Sequence, residues 1–268
     1  MKTSAQTENR FQSDAAKYAA YLESPEGRLR LDLAFANLQE FLPAQQRTSS
    51  GYALDVGCGT GVNAVRLAQL GFHVTLLDCS QAMLDIAQRS ARDADVSAHV
   101  SVKNGDAAGL SSRFNAASFD VILCHNVLEY VDDPGAVLRE AAGLLRHSSS
   151  ILSVLVRNQA GEVLKAAIQS GNLAAAAEAL TAEWGQESLY GGKVRLFTVN
   201  ALREMLKTAS LRVIAERGVR VVADYLPPNV SRNEEYERIC GLERKLGCRM
   251  EFAAAARYTQ VLAGLLAG

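Results

Sequence analysis

The chain has 268 residues, enough for one large domain or two small ones with a full hydrophobic core. Its formal net charge of −1 gives no overall basic field toward nucleic acid, and its five cysteines, an odd number without a C-x-x-C pair, are typical of reduced thiols. The sequence shows neither a charged-then-apolar leader nor an apolar run of transmembrane length. These features predict a cytoplasmic protein with no membrane segment.

The first elements predicted along the chain are helices. Residues 1–13 are polar, and we expect them to be disordered. A short helix is predicted next. Ser24 and Pro25 then suit the N-cap and first position of a second helix, which ends at Pro43. Residues 14–43 therefore form a predicted N-terminal helical segment.

A buried strand, a glycine-rich turn and a helix start follow one another over residues 52–62. The turn has the pattern D-x-G-x-G-x-G, from Asp55 to Gly61. Its glycines allow backbone conformations that a Cβ forbids and let a ligand approach the main chain. The free N–H groups of the following helix favour a nucleotide-type ligand. The dinucleotide fingerprint G-x-G-x-x-G fits only in part, because position 62 is valine, whereas Asp78 ends the next apolar run at the spacing that suits ribose hydroxyls.

Strands alternate with helices after the turn. The apolar runs predict strands at residues 72–78, 99–102, 119–124 and 151–156, with helices at 62–70, from Ser80 onward, and at 135–146. This alternation predicts a doubly wound parallel sheet with ligands outside the carboxyl ends of the strands. The residues predicted to converge at that edge are Gly57 to Gly61, Asp78, Asp106 and His125.

The region after the fifth strand departs from this rhythm. Residues 159–184 are rich in alanine and leucine at helical spacing, with a break at Gly171-Asn172. They predict either a helical pair packed on the sheet or a lid over the acceptor site. Because no repeat or linker is present, we expect a single domain over residues 1–268, with residues 159–197 as a helical lid or insertion.

The C-terminal part predicts a helix, two strands and a further helix. The first helix covers residues 198–209, with Thr198 as its cap. Strands at 211–216 and 219–223, joined by a turn at Gly218, predict a terminal antiparallel hairpin. A charged helix is predicted over 232–246, and residues 257–262 stay open between helix and strand.

The glycine turn with its strand-terminal acid resembles motif I of class I S-adenosylmethionine (SAM)-dependent methyltransferases. His125-Asn126-Val127-Leu128-Glu129-Tyr130, Gly218-Val219-Arg220-Val221 and Arg257-Tyr258 look like the corresponding segments of the tRNA 5-carboxymethoxyuridine carboxyl methyltransferase family. Members of that family methylate the carboxylate of a modified wobble uridine. The resemblance implies a seven-stranded, mostly parallel Rossmann-like sheet with SAM as the cofactor and S-adenosylhomocysteine as its product. The cofactor-binding residues that it implies are Arg30, Asp55, Gly57, Cys58, Gly59, Gly61, Asp78, Asp106, Ala107 and His125.

Two features of the family are missing here. Residues 181–197 hold only Lys193 and Arg195 where the family carries a lysine-rich stretch, and residues 148–150 are serines instead of Pro-Gly-Gly. Since phosphate contacts dominate affinity for nucleic acid, the missing lysines weaken the tRNA interpretation in particular. The cofactor interpretation is unaffected, because its residues lie elsewhere.

The chemistry of the acceptor decides which catalytic residues are needed. A carboxylate is already ionised at neutral pH and needs a cation to position it rather than a base. Arg220 is the candidate clamp, although it also fits an exposed strand arginine, and Tyr225 or an N-terminal tyrosine (Tyr18 or Tyr21) would close the pocket. An acceptor that carries a proton would need a base, for which His125 is the candidate; otherwise His125 is only a wall of the SAM pocket. The other histidines show no metal-ligand spacing, so no metal is predicted.

Three functions remain open at this point. The first is a SAM-dependent carboxyl O-methyltransferase that acts on a tRNA wobble base. The second is a SAM-dependent methyltransferase of a small metabolite, which fits the missing lysines and the near-neutral charge. The third is a regulator that binds SAM or another nucleotide without catalysis.

Overall fold

A computed structural model of the chain describes residues 11–42, 51–187, 189 and 191–266. The chain begins with helices α1 (Ala15–Leu22) and α2 (Pro25–Gln39). The Ser24 side chain accepts a hydrogen bond from the Gly27 N–H at 3.1 Å, as expected for an N-cap. Residues 1–10 of the segment predicted to be disordered, and the predicted helix end at Pro43, lie outside the described residues. Residues 11–13 are helical, so that part of the disorder prediction is wrong.

One seven-stranded sheet organises the described chain. Its strands are β1 (Tyr52–Val56), β2 (His73–Asp78), β3 (Val100–Asn104), β4 (Val121–His125), β5 (Ile151–Arg157), β8 (Leu211–Val219) and β9 (Tyr258–Leu265), while β6 (Trp184–Gln186) and β7 (Lys193–Arg195) form a separate antiparallel pair. The order across the sheet is β3-β2-β1-β4-β5-β9-β8. Strands β1 to β5 pair in parallel, and β9 pairs antiparallel with both β5 and β8. The predicted doubly wound, mostly parallel sheet is confirmed.

Helices cover both faces of the sheet. They are α3 (Val62–Gln69), α4 (Gln81–Asp93), α5 (Leu110–Arg113), α6 (Pro134–Leu144), α7 (Gln159–Leu164), α8 (Leu173–Ala179), α9 (Val199–Thr208), α10 (Tyr236–Gly247) and α11 (Met250–Ala253). Leu38, Leu67 and Leu84 from α2, α3 and α4 lie in one buried cluster with side chains of the sheet. Leu138 and Leu202 from α6 and α9 lie in another. No described helix is long and apolar enough to cross a membrane.

The terminal antiparallel strands differ from the predicted hairpin. Gly218 lies inside β8 rather than in a turn, and the partner of β8 is β9, not residues 219–223. A Cβ at Gly218 would lie 2.7 Å from the Cα of Ala253, so this glycine allows α11 to pack against the strand. Residues 257–262, left open by the sequence, begin β9 from Tyr258.

The insertion after β5 is helical only in its first half. Helix α7 continues into a π turn (Lys165–Gln169), and α8 follows the predicted break at Gly171-Asn172. The chain then forms the β6–β7 hairpin, which the sequence did not predict. In this hairpin the guanidinium of Arg195 lies 4.7 Å from the ring centroid of Trp184. A cation–aromatic contact of this kind stabilises cross-strand neighbours.

The segment that follows β8 is held by one buried acid. Glu243 of α10 is fully buried, and its carboxylate accepts hydrogen bonds from the backbone N–H groups of Val221, Val222 and Ala223 at 2.6, 2.9 and 2.7 Å. Three peptide donors satisfy this buried carboxylate. The carboxylate therefore fixes the turn between β8 and the 3-10 turn at Ala223–Tyr225.

Candidate active site

A cavity of about 720 Å³ opens at the carboxyl ends of the parallel strands. Four features predicted to converge at this edge line it: the glycine turn through Gly57 and Gly59, together with Asp78, Asp106 and His125. Helices α1 and α2 and the insertion after β5 complete the walls. This is the place where doubly wound sheets bind their ligands.

The glycine turn is fixed against the end of β2. The N–H groups of Gly57 and Cys58 both donate to the carbonyl of Leu77, at 2.7 and 3.0 Å. Gly57 has a φ of +64°, and a Cβ there would lie 2.5 Å from a methyl carbon of Val127. Glycine is therefore required both for the backbone conformation and for the close approach of the β4 loop.

Asp78 connects the end of β2 to the turn. Its carboxylate accepts hydrogen bonds from the Gly59 N–H at 2.8 Å and from the Ser80 N–H at 2.9 Å. Burial raises the pKa of Asp78, and the two backbone N–H groups only partly oppose this. Asp106 lies across the same cavity, where its carboxylate accepts from the Ala108 N–H at 2.7 Å, with Ala107 beside it. Two carboxylates at this position suit a ligand rich in hydroxyl groups.

Arg30 enters the cavity from α2 and is 6% exposed. Its guanidinium donates to the Asn126 side-chain oxygen and to the Tyr18 hydroxyl, both at 3.0 Å. The rings of Tyr18, Tyr21 and Tyr258 surround it, with centroids 5.4 to 5.9 Å from the guanidinium carbon. Because both of these hydrogen-bond partners are neutral, the positive charge is available to an anionic ligand.

His125 ends β4 as a neutral side chain. The Asn63 amide lies 3.4 Å from Nδ1, and Ser153 Oγ lies 2.8 Å from Nε2. Burial, and then the charge of Arg30, lower the pKa of His125 to about 3. Both ring nitrogens thus have neutral protein partners, an arrangement that suits a wall of the cavity better than a general base.

Three further arginines gather at the side of the cavity next to the insertion. Arg157, Arg220 and Arg257 all line the cavity and are at most 7% exposed. They alternate with carboxylates: Arg157 pairs with Glu187 at 2.7 Å and Glu162 at 3.2 Å, Arg257 with Glu162 at 2.8 Å, and Arg220 with Asp224 at 2.5 Å. Burial by itself would raise the pKa of Tyr258, yet the charges of Arg157, Arg30, Arg220 and Arg257 lower it to about 8. The potential around Tyr258 is therefore positive, and we call this the electropositive side of the cavity.

Only some of the residues predicted to bind the acceptor line the cavity. Arg220 is buried and paired rather than exposed, at a φ of +62°, and its guanidinium also donates to the Tyr21 hydroxyl at 3.2 Å. Tyr225 is not among the residues that line the cavity; its hydroxyl donates to the Gly161 carbonyl at 3.4 Å. Tyr18 and Tyr21, the alternative tyrosines, do line it.

Three of the predicted cofactor residues lie behind the turn. Asp55 and Cys58 line a separate small cavity of about 40 Å³, and Gly61 packs where a Cβ would lie 2.7 Å from that of Ala87. Burial, and then the charge of Asp78, raise the pKa of Asp55 to about 8. Their direct contacts in this structure are with the protein rather than with the main cavity.

Several cavity residues were missed by the sequence analysis. Arg157 directly follows the predicted fifth strand, so the rule of strand carboxyl ends could have identified it. Glu129 lies within the segment that carried the family resemblance; its Oε2 is buried without a hydrogen-bond partner among the described residues. Lys165 and Glu187 come from the insertion, and nothing in the sequence pattern marks them. No cluster of His, Cys, Asp or Glu suited to a metal ion occurs in the described part of the chain.

Comparisons with known proteins agree with this geometry. The family described as "Methyltransferase domain" matches residues 54–153, which carry the turn, Asp78, Asp106 and His125. The tRNA 5-carboxymethoxyuridine methyltransferase of Escherichia coli K12 is 29% identical over 244 residues, covering 88% of each chain. The ubiquinone biosynthesis O-methyltransferase of Xanthomonas axonopodis is 29% identical over 167 residues, covering 60% of this chain and 69% of that protein.

A solved structure extends the likeness in fold. The SAM-dependent methyltransferase of Mesorhizobium loti superposes with a TM-score of 0.57 at 16% identity. The match covers 90% of this chain and 98% of that one. At this identity the likeness concerns the fold alone, and function has to be argued from the site.

Proposed function

This chain is a SAM-dependent methyltransferase, and we propose that it methylates a carboxylate oxygen of its acceptor, such as the carboxylate of a modified tRNA wobble uridine. The electropositive side of the cavity carries the proposal. The cations there are Arg30, Arg157, Lys165, Arg220 and Arg257, and the carboxylates are Glu26, Glu129, Glu162, Glu187 and Asp224. Five described cations thus face five carboxylates, yet the charges of four arginines lower the pKa of Tyr258 to about 8. The potential around this ring is therefore positive, which favours an anionic acceptor over a neutral one or a cation.

The residues at the strand edge fit SAM. Asp78 would receive the ribose hydroxyls, the turn at Gly57 and Gly59 leaves the main chain open to the amino-acid end, and Arg30 would pair with its carboxylate. A Cβ at Gly57 would force Val127 and the turn apart, since it would meet the Val127 side chain at 2.5 Å. When bound, SAM supplies an electrophilic methyl group.

The protein's task is then to orient the acceptor rather than to remove a proton. A carboxylate nucleophile is ionised at neutral pH and needs no general base. This agrees with His125, whose pKa is lowered to about 3 by burial and then by Arg30, and whose ring nitrogens are both engaged. Orientation of two reactants is itself a large source of rate enhancement.

The identity of the acceptor divides into two candidates. The E. coli relative is named for a tRNA substrate and matches over 88% of both chains, which favours a wobble uridine. A small carboxylic acid is the second candidate, because Asp132, Asp133 and Glu140 line the cavity and would repel a phosphate backbone. The second named relative, which acts in ubiquinone biosynthesis, is consistent with a small acceptor.

Methyl transfer from labelled SAM tests the proposal. The protein would be incubated with tRNA that carries unmethylated 5-carboxymethoxyuridine and, separately, with a small-molecule extract. A carboxyl methyl ester is cleaved by mild alkali, so we expect label that alkali releases as volatile methanol. Label that is stable to alkali would overturn the carboxylate proposal, since it would indicate an amine or ether product. Sensitivity of the labelled product to ribonuclease separates the tRNA candidate from the small acid.

A further inference from the structure

The buried arginines of the cavity differ in how completely their donors are used. Arg220 donates from Nε to Asp224 at 2.8 Å, and from Nη1 to the Tyr21 hydroxyl at 3.2 Å and the Glu26 carbonyl at 3.5 Å. Its Nη2 also donates to Asp224. A guanidinium held on three of its nitrogens has little capacity left for a ligand. Arg220, the clamp expected from the sequence, is therefore better suited to holding Asp224 in place.

Arg257 has the opposite character. It is 5% exposed and lines the cavity, yet its buried Nη1 has no hydrogen-bond partner among the residues that the structure describes. Two ion pairs hold it, with Glu162 at 2.8 Å and with Asp224 at 4.0 Å. A buried guanidinium with unused donors beside a cavity is a ready partner for a carboxylate, which accepts two parallel hydrogen bonds.

Lys165, which belongs to the insertion, lies on the same side of the cavity as Arg257. It is half-buried and lines the same cavity, and no carboxylate lies within 4.0 Å of its ammonium among the described residues. It opens the π turn Lys165–Gln169, whose two end residues both line the cavity. Single π turns within helices occur frequently at functional sites. The insertion thus places a second cation, the flexible Lys165 side chain, near Arg257 and its unused hydrogen-bond donor.

We propose that Arg257 and Lys165 together bind the acceptor carboxylate, whereas Arg220 is a positioning residue that fixes Asp224. The inference rests on the proposed carboxylate acceptor and adds to it the residues that recognise the anion. Arg257 supplies a rigid, buried fork, and Lys165 supplies a mobile charge from the insertion. Glu162, already between Arg157 and Arg257, holds the two guanidiniums side by side.

The binding of a matched pair of nucleosides tests this assignment. The probes are 5-carboxymethoxyuridine and its neutral carboxamide, titrated calorimetrically into protein saturated with S-adenosylhomocysteine. The wild type is expected to prefer the acid. Lys165→Met should reduce that preference about 10- to 100-fold, the value of a hydrogen bond between charged groups, while Lys165→Arg retains most of it. Lys207→Met, an exposed lysine of α9, serves as the matched control and should match the wild type.

Arg257→Lys and Arg220→Lys complete the test. Arg257→Lys keeps the charge but loses the bidentate geometry of the guanidinium, and we expect it to lose part of the preference for the acid over the carboxamide. Arg220→Lys should lower the thermal midpoint with the preference retained. Suppose that the wild type prefers the acid and that both variants, Lys165→Met and Arg257→Lys, keep this preference. The assignment is then wrong, although the proposed function stands. If the wild type binds both probes equally, or neither, the proposed wobble-uridine acceptor itself is wrong and the assignment falls with it.

Discussion

Asp55 allows a quantitative prediction about the effect of pH on stability. Its ordinary pKa is 3.8, and burial, followed by the charge of Asp78, raises the pKa in the folded protein to about 8. Between these values the folded protein keeps a proton that the unfolded chain releases. The folded state therefore binds more protons, and stability falls as the pH rises through this window. Integrated from about pH 5 to about pH 8, the loss attributable to Asp55 is about 3 to 4 kcal/mol.

Asp55→Asn removes this titration while keeping the shape of the side chain. Urea unfolding of the cofactor-free protein, followed by circular dichroism at about pH 5, 6.5 and 8, gives the free energy of unfolding for each variant. We expect the loss between the two extremes to be about 3 to 4 kcal/mol smaller in Asp55→Asn than in the wild type. Asp93→Asn, at an exposed position on α4, should follow the wild-type curve. Parallel curves for Asp55→Asn and the wild type would refute the reasoning.

Three further predictions concern the cofactor side of the cavity. Asp78→Ala removes the acceptor of the Gly59 and Ser80 N–H groups and should weaken binding of S-adenosylhomocysteine at least about 10-fold by calorimetry; an unchanged dissociation constant would contradict the ribose role. The methyl-transfer rate should show no titration attributable to His125 between about pH 6 and 8, because burial and then Arg30 lower its pKa to about 3. A kinetic pKa near neutrality that disappears in His125→Gln would show that it acts as a base after all. Gly57→Ala should abolish cofactor binding, since its Cβ would meet Val127 at 2.5 Å at a positive φ. Gly143→Ala, where a Cβ meets nothing within 4 Å, should bind normally and gain about 0.4 to 1 kcal/mol in stability.

The strand edge of the site was predictable from the sequence. Gly57, Asp78, Asp106 and His125 each end or follow an apolar run, and parallel strands bring such positions to one edge. A local pattern identifies each of these positions, and the geometry of a parallel sheet brings them together at one edge. The sequence did not show which residues of the motif line the cavity. Asp55 and Gly61 belong to the same motif as Gly57, yet they face the protein interior.

The cationic side of the site could not be predicted in the same way. Arg157, Lys165 and Arg257 come from the end of β5, from the insertion and from the residue before β9, and the pairing of β9 with β5 brings Arg257 next to Arg157. That pairing is long-range, and the sequence left residues 257–262 open. Gly218 shows a related limit, because a glycine that admits a neighbouring helix and a glycine that turns the chain have the same appearance in a sequence.

The carboxylate of Glu243 has a consequence for the entropy of acceptor binding. Its three hydrogen bonds with successive peptide groups order the backbone that carries Arg220 and Asp224 during folding, before any ligand is present. Ordering a loop on binding would subtract from affinity, so a wall built in advance leaves more of the interaction energy for recognition. One buried side chain on α10 thereby preorganises this side of the cavity for its acceptor.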